Sequence, residues 1–172
     1  VTITSGGYIN AGQVCISAQR VIVEESVMDQ FLAALQPKVE AIKVGDPFAA
    51  DTKVGALISK TEADRVAQAI RSAVADGATL LTGGEQDGTI ITPAIVTNVD
   101  PYSAFAQDEL FGPAVAVSAA RDATHAIELA NNLDHIFGAT VANFDRSLSQ
   151  YRNCFAQSNE SAIKTQRRIR IC

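Results

Sequence analysis

The chain has 172 residues, 47% of them hydrophobic and 19% charged, with a formal net charge of −5 at pH 7. This is enough apolar material for one domain with a buried core that needs neither disulfides nor metal, and it is not the composition of a disordered or fibrous chain. The acidic balance excludes a nucleic-acid or anionic-membrane surface, since both need clustered Lys and Arg, and no apolar run approaches the roughly 20 residues of a spanning helix.

The first residues do not form a basic region followed by an apolar core, so a cytoplasmic location is expected. Three cysteines, Cys15, Cys154 and Cys172, make neither a disulfide framework nor a paired metal knuckle. With His125 and His135 the only histidines, no metal site is expected.

In chain order, strand-like and helix-like segments alternate, the pattern of a mostly parallel sheet covered by helices. Residues up to about Asn10 carry no clear period. Val21-Ile22-Val23 reads as a buried strand, and Ser26 as the N-cap of a helix over about 27–43, with Met28, Phe31, Leu32, Leu35, Val39 and Ile42 at helical spacing. Pro37 lies inside that helix and is expected to kink or break it. Ser59 and Glu62 have capping-box spacing ahead of the stripe Ala63, Val66, Ala67, Ile70, Ala73 and Val74, which Gly77 closes as a C′ glycine.

Thr79-Leu80-Leu81 is a short strand, Gly83-Gly84 a turn, and Ile90 to Val96 an edge or broken strand because of Pro93. Gly83-Gly84 lacks the lysine and the glycine spacing of a nucleotide loop. Ala114 to Val117 forms a strand, Asp122 caps a helix containing Ile127, Leu129, Ala130 and Leu133, and Gly138 opens a strand over Ala139 to Ala142. Asp145 caps a last helix with Leu148, Tyr151 and Phe155 on one face. Past about Gln157 the character changes. Lys164, Arg167, Arg168 and Arg170 crowd the last residues without an acid among them, a solvated or frayed end by composition.

Two segments carry chemistry. Tyr8-Ile9-Asn10-Ala11-Gly12-Gln13-Val14-Cys15 sets a thiol just after a Gly-Gln step, where backbone approaches a bound group closely. Main-chain N–H groups there would favour a thiolate and stabilise an oxyanion built on its partner. The competing reading of Cys15 is a small buried hydrophobe. The second segment is Glu109-Leu110-Phe111-Gly112-Pro113. His125 and His135 read as surface or capping groups, Cys154 as packing, and Gln107, Asp108 and Thr92 as turn chemistry.

Read together, and with Gly45-Asp46-Pro47, Val54-Gly55-Ala56-Leu57-Ile58-Ser59, the Gly77-Ala78 and Gly83-Gly84 pairs and Glu128-Leu129-Ala130-Asn131-Asn132 in consistent order, these segments resemble the catalytic domain of the aldehyde dehydrogenase superfamily. The resemblance covers roughly residues 1–150 and implies a three-layer α/β fold, with a partial catalytic domain over 1–157 and a divergent basic tail over 158–172. It implies that Cys15 attacks an aldehyde to give a thiohemiacetal, and that the acid is released through a thioester after hydride transfer to NAD or NADP. By the same resemblance Glu109 holds the nicotinamide ribose, Phe111 packs near the nicotinamide, the Cys15 N–H is half of the oxyanion site, and Asn10 is structural.

The family's upstream general-base glutamate, its dinucleotide-binding domain and its Pro-Phe-Gly-Gly stretch have no match in these residues, so the chain looks like a central-to-C-terminal portion with an altered end. The lone chain is therefore expected to lack cofactor binding and dehydrogenase competence. Two other readings stand beside this one: a cysteine-dependent esterase or thioesterase relic, and a non-catalytic partner of a full-length relative, docked or self-associated through uncovered surface. The expected small-molecule partner is an aldehyde, with neither nucleic acid nor membrane.

Overall fold

The structure is a computed structural model and describes residues 2–132. In chain order its elements are α1 (Thr2–Gly6), β1 (Arg20–Glu24), α2 (Met28–Glu40), α3 (Lys60–Ala75), β2 (Thr79–Thr82), β3 (Gln86–Asp87), β4 (Ile90–Ile91), β5 (Ala94–Thr97), α4 (Ala104–Gln107), β6 (Ala114–Ala120) and α5 (Ala123–Asn131). Four strands form a mixed, mostly parallel sheet in the order β1-β6-β5-β2. β6 pairs in parallel with both β1 and β5, and β2 runs antiparallel to β5. β3 and β4 make a separate hairpin.

The period-two geometry of the central strands divides the core into two layers. Ala94, Val96, Ala114 and Ala116 face α3, meeting its buried Ala63, Val66, Ala67, Ile70 and Ala73. Ile95, Val115 and Val117 face the opposite side with Leu35 and Val39 of α2 and with Tyr8. A strand buried on both faces must be apolar at every position, which is why β5 and β6 read as continuous hydrophobic runs. The result is the expected three-layer α/β arrangement of helix, sheet and helix. No helix among the described residues is long and apolar enough to cross a membrane.

The capping expectations hold where a side chain can reach a free N–H. Ser59 Oγ accepts from the Glu62 N–H at 3.2 Å, and Asp122 Oδ1 from the His125 N–H at 2.8 Å. Gly77, at φ 103, follows α3 while the Ala78 N–H donates to the Ala73 carbonyl at 2.9 Å and the Gly77 N–H to Val74 at 3.1 Å. That pair of bonds is a Schellman closure.

Several local expectations differ in whole or in part. Val74, expected on the buried stripe of α3, is 41% exposed because it lies past the edge of the face that meets the sheet. Ser26 caps nothing; a 3₁₀ turn over Glu25–Val27 leads into α2, which starts without a side-chain cap. The helix ends at Glu40 rather than 43 and continues through Pro37, which leaves only one turn after it, pinned by buried Val39. Val21-Ile22-Val23 lies in an outer strand, with Val23 alone buried, because β1 has a single strand neighbour among the described residues. Pro93 separates β4 from β5, as a residue without a ladder donor must, yet β5 is interior to the sheet. The strand near Ala139, the helix near Tyr151, His135, Cys154, Cys172 and the basic tail lie outside the described residues.

Candidate active site

The thiol stretch owes its shape to three consecutive residues in the left-handed region: Asn10, Ala11 and Gly12, at φ 51, 55 and 72. For the two that carry a Cβ this costs about 1–2 kcal/mol each. Such strain persists only where the surroundings over-determine it. Here they do. The Gln13 N–H donates to the Asn10 carbonyl at 3.0 Å, and Asn10 Nδ2 donates to the Gln13 carbonyl at 3.2 Å. Just upstream, Tyr8 is buried, and its phenol donates to the Ala94 carbonyl of β5 at 2.9 Å. Burial pushes that phenol above its ordinary pKa, so it remains a donor.

Gly12 marks the closest approach. A Cβ on it would lie 2.1 Å from the Gly112 carbonyl oxygen and 3.1 Å from the Pro113 nitrogen. The two candidate segments, far apart in sequence, therefore touch backbone to backbone. Gly112 is equally constrained on its other side, where a Cβ would lie 2.7 Å from both methyl carbons of Val66.

Cys15 follows in a turn closed by the Ser17 N–H donating to the Val14 carbonyl at 2.8 Å, with Cys15 and Ile16 at its two central positions. Cys15 is exposed and forms no disulfide, which removes the buried-hydrophobe alternative. Its N–H makes no hydrogen bond among the described residues, leaving a donor beside the sulfur. Gln13 braces the turn from a third direction: its Oε1 accepts from the Ile58 N–H at 2.9 Å.

On the facing loop, Glu109 is exposed and Phe111, at φ 49, is 37% exposed. Leu110 between them is buried and held at both ends of its peptide unit. Its N–H donates to Gln19 Oε1 at 2.8 Å, and its carbonyl accepts from Arg65 at 2.6 Å. Leu110 thus anchors the loop from below while Glu109 and Phe111 on either side of it meet solvent. Ile16 and Ile58, 85% and 84% exposed, add apolar surface on the thiol loop and on the loop Gln13 braces.

Comparison with known proteins decides the family. The family model described as "Aldehyde dehydrogenase family" matches residues 1–163. The chain belongs to the aldehyde dehydrogenase family. Among curated aldehyde dehydrogenases it is 39% identical to benzaldehyde dehydrogenase YfmT of Bacillus subtilis over 144 residues, covering 83% of this chain and 30% of that protein. It is 36% identical to vanillin dehydrogenase of Pseudomonas fluorescens over 158 residues, covering 92% of this chain and 32% of that protein. Betaine aldehyde dehydrogenase of Staphylococcus aureus, solved in complex with NAD+, superposes with a TM-score of 0.74 at 34% identity, covering 81% of this chain and 28% of that one. The chain thus spans about a third or less of the length of the relatives it matches.

Within this aldehyde dehydrogenase frame, Cys15, Glu109 and Phe111 all lie in the two touching loops, and Asn10 holds the left-handed turn. Gln107 and Thr92 serve turns and loop ties, and the His125 Nδ1 accepts from the Arg121 N–H at 3.2 Å, a capping role. Gln13, Gln19 and Arg65 were not legible as site residues. The Gly-Gln step hinted at the first; nothing local marks the other two, because their partners are main-chain groups far along the sequence.

Proposed function

We propose that these residues are the thiol half of an aldehyde-oxidising site that works through a covalent intermediate on Cys15. The observation that carries this reading is the exposed thiol beside an unengaged N–H, three residues after Gly12, whose backbone abuts the Gly112–Pro113 end of the facing loop. The Cys15 thiolate attacks the aldehyde carbon, and the carbonyl oxygen becomes an oxyanion that accepts from the Cys15 N–H. Loss of the aldehyde hydrogen with its electron pair turns this thiohemiacetal into a thioester, which water hydrolyses to the acid, returning the thiol.

Glu109 and Phe111 fit the nicotinamide end of NAD or NADP: an exposed carboxylate accepts from ribose hydroxyls, and a half-exposed ring offers a flat apolar contact. When bound, the nicotinamide supplies the hydride acceptor. No Gly-rich βα turn for a pyrophosphate and no match to the family's upstream base occur in the 172 residues. The roles proposed for these 172 residues are nucleophile, oxyanion donor and ribose contact. On this reading residues 1–157 are a partial catalytic domain and 158–172 a divergent basic tail. The relatives named above are described as acting on benzaldehyde, vanillin and betaine aldehyde, so the substrate is a small aldehyde.

The test is steady-state oxidation of an aldehyde panel with NAD and with NADP, in the protein as its gene encodes it. Cys15→Ser should abolish turnover, and Glu109→Gln should raise the cofactor KM. Turnover that survives in Cys15→Ser would remove the nucleophile assignment.

A further inference from the structure

The route by which Glu109 is fixed relative to Cys15 runs through a side chain that sequence reasoning passed over. Gln19 sits at the entry to β1, four residues after the thiol, and its own carbonyl accepts from the Ala116 N–H of β6 at 2.8 Å, so its backbone is part of the sheet. Its side chain leaves the sheet. Nε2 donates to the Asp108 carbonyl at 2.6 Å, and Oε1 accepts from the Leu110 N–H at 2.8 Å.

These are the two peptide groups on either side of Glu109. A primary amide carries the same donor and acceptor pair as a peptide unit, so Gln19 makes with the Asp108–Leu110 segment the double bond that a neighbouring strand would make. It does so ahead of the strand ladder, since pairing between β1 and β6 begins only at Arg20 and Ala116.

We propose that Gln19 is a positioning residue that sets the Glu109 carboxylate at the cofactor ribose by bonding the peptide groups on both sides of it. The assignment rests on the reading of Glu109 given under Proposed function. Gln19 touches neither substrate nor cofactor; it acts by limiting where Glu109 stands with respect to the thiol turn, to which it is joined by four residues of chain. Arg65, donating to the Leu110 carbonyl at 2.6 Å, steadies the same loop from α3 but does not reach the peptide groups beside Glu109 on both sides.

The experiment is a double-mutant cycle on cofactor KM and kcat in the protein as its gene encodes it, with Gln19→Met, close in size but without the amide, and Glu109→Gln, alone and together. Losing two hydrogen bonds that orient the carboxylate should raise the NAD KM by about tenfold with kcat changed by no more than about twofold, and Gln19→Met should add nothing once Glu109 is already Gln. Equal effects of Gln19→Met in both backgrounds, or no effect where Glu109→Gln alone raises KM, would overturn the positioning role while leaving Glu109 in place. A Glu109→Gln protein with unchanged KM would instead remove the reading beneath it. Should Gln19→Met fold poorly, Gln19→Asn, too short to span both groups, replaces it. In either variant hydrogen exchange of the Leu110 amide should accelerate while that of the Ala116 amide does not; an unchanged Leu110 rate contradicts the clamp without recourse to activity.

Discussion

The layer between α3 and the sheet and the loop pair around Cys15 are built on different physics. In the first, α3 lays Ala63, Val66, Ala67, Ile70 and Ala73 on a sheet face made of small residues, and every one of these is nearly without solvent contact. Area removed from water holds it together. In the second, Cys15, Ile16, Glu109 and Phe111 face outward, and shape is kept by left-handed backbone, by amide side chains bonded to distant peptide groups, and by one close contact of Gly12 with Gly112. A thiol that must meet a substrate cannot be buried. Its surroundings are therefore made rigid by directional bonds, which act without covering it.

Perturbing each region should move different observables. The largest loss of stability is expected from Ile95→Ala, which empties a fully buried site between the sheet and α2: about 3 kcal/mol by urea unfolding, with the alkylation rate of Cys15 in the folded protein unchanged. Next is Gly12→Ala, whose Cβ would collide with the Gly112 carbonyl at a φ of 72. Overpacking together with a left-handed alanine should cost about 2 kcal/mol, and here the rate of Cys15 alkylation should change as well, because the turn must move. If both variants altered thiol reactivity in proportion to lost stability, the two regions would be one mechanical unit.

The smallest effect concerns Asp64 on the exposed side of α3. Hydrogen bonds from Lys60 and Gln86 hold its carboxyl below the usual range. A depressed carboxylate stabilises the fold above its ordinary pKa, and that contribution disappears as pH falls through the folded value. Asp64→Asn should therefore flatten the acid-side decline of the unfolding midpoint slightly, since solvent screens the pair.

The helices and central strands were readable in the sequence because burial imposes a period. The stripe from Ala63 to Ala73, the caps at Ser59 and Asp122 and the unbroken apolar runs of β5 and β6 each follow from which side of an element meets water. Pro37 does not break α2, because it stands near the helix end, where a single turn pinned by buried Val39 follows it. The residues proposed for the chemistry, Cys15 and Glu109 to Phe111, were visible as two motifs whose order resembles a family. How they are held was not. A left-handed Asn10-Ala11 is a backbone conformation, and a glutamine paired with Asp108 and Leu110 across 89 and 91 residues and an arginine on Leu110 are long-range bonds to the backbone; neither leaves a trace in side-chain periodicity.

The claim on which the rest depends is that Cys15 is the sulfur that takes an acyl group. It can be tested on the 172-residue chain without any cofactor, by brief exposure to 4-nitrophenyl acetate, acid quench and mapping of the acetyl group by mass spectrometry. Attack of the thiolate on the ester carbonyl expels nitrophenolate and leaves a thioester, so one acetyl group is expected on Cys15 and none at any residue of the Cys15→Ser protein under the same exposure. Acetylation of Cys154 or Cys172 with Cys15 left unmodified would contradict the account.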